Sequence, residues 1–183
     1  RELRTLLDAT LSKKATLSLA LEPGSVVLGD RAPLTQVIMN LLTNASDALD
    51  GKPGRIQVRT RRAAQLDPSW SDALGDPSAV GPFLIVEVED DGVGMDETTR
   101  LRVFEPFFTT KEYGHGLGLA ACVGIVSSHG GALRLESERG RGSCFALALP
   151  ATDASAAPVK PAEPLGVNEP CRVLVIDDEQ LVR

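Results

Sequence analysis

Between residues 15 and 150 the spacing of apolar positions changes several times, and each change marks the edge of an element. Leu17, Leu19 and Leu21 alternate with Ser18 and Ala20, a two-residue period that predicts a strand. From Asp30 or Arg31 to about Asp50 the period lengthens. Leu34, Val37, Ile38, Leu41, Leu42, Ala45, Ala48 and Leu49 fall at i, i+3, i+4 and i+7 spacings, which gives a helix one broad buried face. Pro33 is tolerated there because it stands in the first turn. Arg55–Arg61 and Phe83–Glu89 return to strand-like sequence. Leu117–Ser128 has the small and apolar residues of a packed helix, and Ala132–Glu138 with Ser143–Leu149 reads as a hairpin around Gly140-Arg-Gly142. Such a mixture predicts an α/β two-layer sandwich.

The pattern breaks between Pro150 and Pro170. Ala, Pro, Ser and Glu dominate there, with prolines at 158, 161, 164 and 170, and too little apolar surface is available to order the stretch. It reads as a semi-rigid linker over 151–170, dividing a domain at 15–150 from a short apolar run after 170. At the other end, Leu3, Leu6, Leu7 and Leu11 stand at helical spacing, so both ends look cut from something longer. Residues 62–82 are polar, carry Pro68, Pro77 and Pro82, and are long for a loop in a compact domain. They hold the only tryptophan, Trp70, which is either a contact for a partner or nucleotide or a staple for its own loop.

Composition narrows the functional classes. Of 183 residues, 43% are hydrophobic and 24% charged, which is enough for a packed core. The formal net charge is -6 without a basic cluster, which argues against nucleic acid as a partner. Cys122, Cys144 and Cys171 lie far apart and form no C-x-x-C pair, so a reducing compartment fits best. No apolar run is long enough to span a bilayer, and residues 1–20 lack the layout of a signal peptide. A cytoplasmic segment with no direct membrane contact is expected.

The candidate chemistry begins on the long helix. At about 100° per residue, Gln36, Asn40, Asn44 and Asp47 fall within a narrow arc beside the apolar face. An Asn carbonyl is a neutral, hard oxygen donor suited to Mg²⁺, which shares its shell with waters and substrate phosphates. Next, the strand Val86-Glu-Val-Glu-Asp90 runs into Asp91-Gly92-Val-Gly94-Met95, where backbone can approach a ligand and a fixed carboxylate can accept from an exocyclic amine such as that of adenine. Then Gly114-His-Gly116-Leu-Gly118-Leu119 leads straight into a helix, whose backbone N–H groups can cradle phosphates. Gly116-Leu-Gly118-Leu-Ala-Ala121 formally fits a dinucleotide-binding fingerprint, but polar, turn-like residues precede it where that motif needs a strand. A P-loop motif is absent.

Taken in order, Asn40-Leu-Leu-Thr-Asn44-Ala-Ser-Asp-Ala48, Asp90-Asp-Gly-Val-Gly94, Phe104-Glu-Pro-Phe-Phe-Thr-Thr-Lys111 and Gly114-His-Gly-Leu-Gly118 closely resemble the N, G1, F and G2 boxes of the sensor histidine kinases. The resemblance covers roughly residues 15–150, the catalytic ATP-binding domain, and implies the Bergerat fold: a mixed β-sheet packed on about three helices. It implies ATP and Mg²⁺ as cofactors, with Asn44 on the metal, Asn40 supporting the metal or phosphate shell, and Asp47 beside them in the cofactor site. Asp90 would accept from the adenine amino group, with Gly92 and Gly94 letting the strand end approach the ring. Gly114, Gly116, Leu117, Gly118 and Leu119 would form a mobile lid over the phosphates. Lys111 would contact phosphate, Arg102 less directly, while Phe104, Phe107 and Phe108 would pack the lid.

Two departures matter. In related ATPases, such as type II topoisomerases and mismatch-repair proteins, a Glu four residues before the metal Asn serves as general base. Here that place is Asn40, which cannot take a proton, so hydrolysis is disfavoured. His115 stands where the family often has Thr. After the linker, Cys171-Arg-Val-Leu-Val-Ile-Asp177-Asp178-Glu179 resembles the first strand and acidic pocket of receiver domains, which implies that Asp177 and Asp178 help bind a Mg²⁺ there. The resulting expectation is a fragment of a hybrid sensor histidine kinase, a homodimer in full length, with residues 1–14 the end of the dimerisation helix or its connector and 171–183 beginning the receiver. Its partners would be its own histidine-bearing dimerisation domain and a receiver domain or response regulator. Neither His115 nor His129 begins the H-[ED]-x-x-x-P pattern of the family's acceptor helix. The alternatives are an ATP-hydrolysing conformational switch of the same superfamily and a degenerate module that binds partners without nucleotide.

Overall fold

The computed structural model describes residues 11–24, 26–75, 81–111 and 114–152. The expected dimerisation-helix residues up to 10, the linker beyond Thr152 and the receiver start with Asp177 and Asp178 lie outside the described residues. Residues 11–14 form a bend and a turn in place of helix, and Ala151 and Thr152, expected in the linker, pair with Val27 and Val26 as the end of the last strand.

The strands are β1 (Ala15–Ala20), β2 (Val26–Val27), β3 (Gly54–Ala63), β4 (Leu74–Gly75), β5 (Phe83–Asp90), β6 (Ala132–Glu138) and β7 (Gly142–Thr152). They form one sheet in the order β1-β3-β5-β7-β6-β4, with β2 against the end of β7. Among the described residues only β1 and β3 pair in parallel; the other pairs are antiparallel, so the sheet is mixed. Three α-helices accompany it among the described residues, α1 (Arg31–Ala48), α2 (Glu97–Arg102) and α3 (Gly118–Ser128), with one turn of 3-10 helix at Pro68–Trp70. The two-layer sandwich expected from the sequence is therefore present.

Alternation along the central strands explains the layers. Val86 and Val88 of β5, with Phe145, Leu147 and Leu149 of β7, face the helices and meet Val37, Leu41, Leu42, Ala45 and Leu49 of α1 and Cys122 and Val126 of α3. The helical period of α1 supplies that face, and Asp30 caps its start by accepting from the Ala32 N–H at 3.1 Å. His129, at the end of α3, ties the two helices together. Its Nε2 accepts from the Asp30 N–H at 3.1 Å and its Nδ1 lies 2.7 Å from the Ile125 carbonyl, so the tautomer with the proton on Nδ1 satisfies both.

The opposite face of the sheet is partly apolar and partly charged. Phe83, Ile85, Ala132, Ala146 and Ala148 form a second small core there, closed by Trp70, which is only 5% exposed. The Arg134 guanidinium lies 5.2 Å from the Trp70 ring centre and donates to Ser69 Oγ at 2.6 Å. Trp70 is thus the staple of its loop, the second of the two roles its position left open. Beyond it Arg59 pairs with Glu87 and Glu89, at 3.2 and 2.7 Å. Cys122 and Cys144 are free thiols, and burial with Glu87, Glu89 and Glu136 nearby pushes Cys144 up to about 11.

Helix α2 is the main element that hydrophobic period did not announce, because its six residues bury none of their side chains completely. Its capping residue does announce it: Asp96 accepts from the Thr99 N–H at 2.8 Å.

Candidate functional site

A cavity of about 600 Å³ opens between α1, the end of β5 and the segment from Phe108 to Leu119. That volume is within the range of small-molecule sites. Helix α1 supplies Asn40, Asn44 and Asp47, one turn apart on its polar stripe. Gln36, the fourth residue of that stripe, is exposed outside the cavity wall. Asn40 commits its amide nitrogen to α3, donating to the Gly118 carbonyl at 3.2 Å and to Cys122 Sγ at 3.6 Å. The acceptor it can offer the cavity is therefore Oδ1.

The floor is Asp90, which ends β5 opposite Ile56 on one side and Ser143 on the other. It is 4% exposed, and burial pushes its carboxyl up to about 6. The backbone N–H groups of Gly92 and Ser143 pull in the opposite direction by donating to it, while Asp91 and Glu89 add to the upward shift. A buried carboxylate with two backbone donors is held in one place, as an acceptor that recognises a single amine must be. Asp91, next to it, faces away and accepts from the Arg55 N–H at 2.6 Å.

Gly92 does not reach the cavity. Its N–H donates to Asp90 Oδ1 at 2.9 Å, so it positions the carboxylate from behind. Gly94 does line the cavity, and the backbone itself requires a glycine there. Its φ is +61°, and a Cβ there would fall on the Glu138 carbonyl oxygen in the β6–β7 turn. The turn is tied on by Gly140, whose N–H donates to the Val93 carbonyl at 2.7 Å.

The remaining wall is the segment before and through the glycine loop. Lys111, Gly114, His115, Gly116, Leu117, Gly118 and Leu119 all line the cavity. Lys111 Nζ donates to Asn44 Oδ1 at 2.8 Å and to Asp47 Oδ2 at 2.6 Å, spanning the cavity from lid to helix. Gly116, at φ +66°, backs onto Phe107 and Phe108, and its carbonyl accepts from the Phe107 N–H at 2.9 Å. The F and G2 segments are thereby zipped together.

The three phenylalanines separate in role. Phe104 packs inward, edge-on to Phe145 with ring centres 6.3 Å apart. Phe108 lines the cavity and carries the Arg102 guanidinium 4.4 Å above its ring. Phe107 differs from the packing role expected of it: it is 75% exposed, with φ +67°, a conformation uncommon for a bulky residue. Arg102 also differs from expectation, pairing with Glu105 at 3.1 Å outside the cavity wall. Sequence reasoning missed Met95, Thr99, Val103, Ser143 and Phe145 as wall residues, since only the packing of α2 and the β6–β7 hairpin beside β5 brings them there.

Comparison with known proteins agrees with this geometry. Residues 29–153 match the family described as histidine kinase-, DNA gyrase B-, and HSP90-like ATPase. The sensor kinase CckA of Brucella abortus (strain 2308) is 36% identical over 168 residues, 86% of this chain and 18% of that protein. The chain thus spans less than a fifth of that relative's length. Among solved structures, the catalytic domain of histidine kinase ThkA superposes with a TM-score of 0.63 at 28% identity, covering 84% of this chain and 90% of that one. Full-length ShkA in complex with AMPPNP gives 0.63 at 25% identity, covering 84% of this chain and 30% of that one. The chain belongs to the histidine kinase-, DNA gyrase B- and HSP90-like ATPase family, and within it to the catalytic ATP-binding domains of sensor histidine kinases.

Proposed function

We propose that the chain binds Mg·ATP in this cavity and presents the γ-phosphoryl group to a histidine on a separate dimerisation domain, as part of a hybrid two-component sensor kinase. The observation that carries the reading is the convergence of Asp90, the α1 amides, Lys111 and the glycine loop on one cavity. ShkA, similar over most of this chain, is described in complex with an ATP analogue, AMPPNP.

Asp90 orients the base by accepting its amino N–H, with Val93, Met95 and Leu117 as apolar walls. Lys111 and the N–H groups at the start of α3 face the phosphates and offset their charge. Among the described residues no group of three or more His, Cys, Asp and Glu side chains gathers to hold a metal alone. The oxygen donors present, Asn44 Oδ1 with Asn40 Oδ1 one turn away, fit a Mg²⁺ that shares its shell with phosphates and waters. When bound, that ion supplies charge neutralisation to the transferring phosphoryl group. Asp47 joins the site through Lys111.

Asn40 stands on the cavity wall where a general base would otherwise be, and an amide takes no proton from water. The phosphoryl group is thereby kept for a nucleophile brought by another domain. In this reading the residues before β1 end the dimerisation helix and its connector, those from 153 to 170 are a linker, and 171–183, with Asp177 and Asp178, begin a receiver. This segment would then be cytoplasmic, within a protein that is a homodimer in full length. No helix among the described residues is long and apolar enough to cross a membrane.

Titration with a fluorescent ATP analogue, with Mg²⁺ and with EDTA, tests the reading. Saturable binding lost in Asp90→Asn is expected, together with phosphotransfer to a separately supplied dimerisation domain. Absence of binding, or binding indifferent to Asp90→Asn, defeats it. Steady phosphate release by the chain alone, abolished in Asn40→Ala, would instead favour a hydrolysing switch.

A further inference from the structure

Lys111 and Asp47 are 64 positions apart in the chain, yet their charged ends meet at 2.6 Å inside the cavity, and the same ammonium donates to the carbonyl of Asn44. Lys111 is delivered there by a tight turn: its N–H donates to Thr109 Oγ1 at 3.0 Å, and its carbonyl accepts from the Gly114 N–H at 3.2 Å. One side chain thus joins the start of the glycine lid to the polar stripe of α1.

The oxygen that Lys111 holds on Asn44 is the one suited to a metal. An ammonium nitrogen sits 2.8 Å from it, whereas Mg²⁺ requires about 2.1 Å in near-octahedral geometry. Both on one carbonyl would bring two cations to within roughly 4–5 Å of each other, where they repel. The two are therefore alternatives. We propose that Lys111 is a resident counter-cation that latches the lid to α1 through Asp47, and that a nucleotide-borne cation gains Asn44 only when Lys111 leaves it for the phosphates. Asp47 is then a positioning residue for the lid and not a ligand of the nucleotide. The proposal rests on the nucleotide-binding reading for its consequence, but the latch itself is a property of the protein alone.

Removing the charge of Asp47 while keeping its shape releases Lys111. Asp47→Asn is expected to tighten binding of a fluorescent ATP analogue in EDTA by about two- to fivefold, the scale of a half-exposed ion pair. Loss of a negative charge near a triphosphate would tighten binding too, so the double-mutant cycle decides. In a Lys111→Gln background the latch is already gone, and Asp47→Asn is expected to have no further effect. Equal tightening in both backgrounds would show simple charge repulsion and overturn the latch. Weakening confined to Mg²⁺-dependent binding in both backgrounds would make Asp47 a direct ligand and overturn it as well.

Hydrogen exchange without nucleotide gives an independent readout. Amides over 109–118 are expected to exchange faster in Asp47→Asn than in the wild type, with the sheet unchanged. Unaltered exchange there refutes the latch whatever the nucleotide data show. If the wild type binds no nucleotide, the functional reading fails while this exchange result still decides the latch.

Discussion

The two walls of the cavity are built on different principles. The α1 and β5 wall is the hydrophobic core seen from its edge: Asn40 and Asn44 lie on the helix whose apolar face includes Leu41 and Leu42, and Asp90 stands two residues after Val88 on β5. The lid wall has almost no core of its own. Leu117 is 47% exposed, Phe107 is turned to solvent, and the segment is held by single contacts such as Phe107 to Gly116 and Lys111 to Asp47. In the proposed function, recognition of the base would fall to the core-backed wall and closure on the phosphates to the wall that opens at lower cost.

The sharpest way to test this division is to remove comparable apolar groups from each side. Leu41 is completely buried, so Leu41→Ala is expected to cost about 2–5 kcal/mol of stability, read from the midpoint of urea unfolding. Leu117→Ala is expected to stay within about 0.5 kcal/mol while weakening nucleotide binding. If the two variants unfold at the same urea concentration, the lid is as much a part of the core as α1 is.

Asp90 distinguishes the walls by pH. Its folded value of about 6 lies above the ordinary 3.8, so between those values the folded state holds a proton that the unfolded chain has shed. Stability therefore declines as pH rises through that window and levels off above about 6. Nucleotide binding should move oppositely, because the ionised carboxylate is the better acceptor for an amino N–H. Chemical denaturation and binding measured at the same pH values should give curves of opposite slope, both flattened in Asp90→Asn. Parallel slopes would mean that Asp90 does not face the base.

The fixed wall was the more legible in sequence, and for a physical reason. A helix of 3.6-residue period writes both its buried face and its polar stripe into one local pattern, so Asn40, Asn44 and Asp47 were found together. Strand β5 likewise announced Asp90 by the apolar run that ends on it. The lid was recognisable by its glycines, but its contacts were not, since Lys111 meets α1 across more than sixty residues of chain. The same limit hid Val103, Ser143 and Phe145, the hydrogen bond by which Gly92 orients Asp90, and the Glu138 carbonyl that Gly94 admits. Exposure of Phe107 had no signal in the local pattern, where it reads as one more apolar residue.

The finest comparison uses one added methyl group on each wall. Gly94→Ala places a Cβ on the Glu138 carbonyl at a positive φ, and about 1–3 kcal/mol of destabilisation is expected. Gly118 begins α3, and a Cβ there meets Asn40 at an ordinary 3.7 Å. Gly118→Ala should therefore raise stability by about 0.5–1 kcal/mol, by reducing the freedom of the unfolded chain. Its cost should appear elsewhere: a stiffer lid hinge slows association of the ATP analogue in stopped-flow while urea unfolding shifts upward. An association rate equal to the wild type's would place the hinge on the N-terminal side of Gly118, leaving Gly114 and Gly116 to carry the closure.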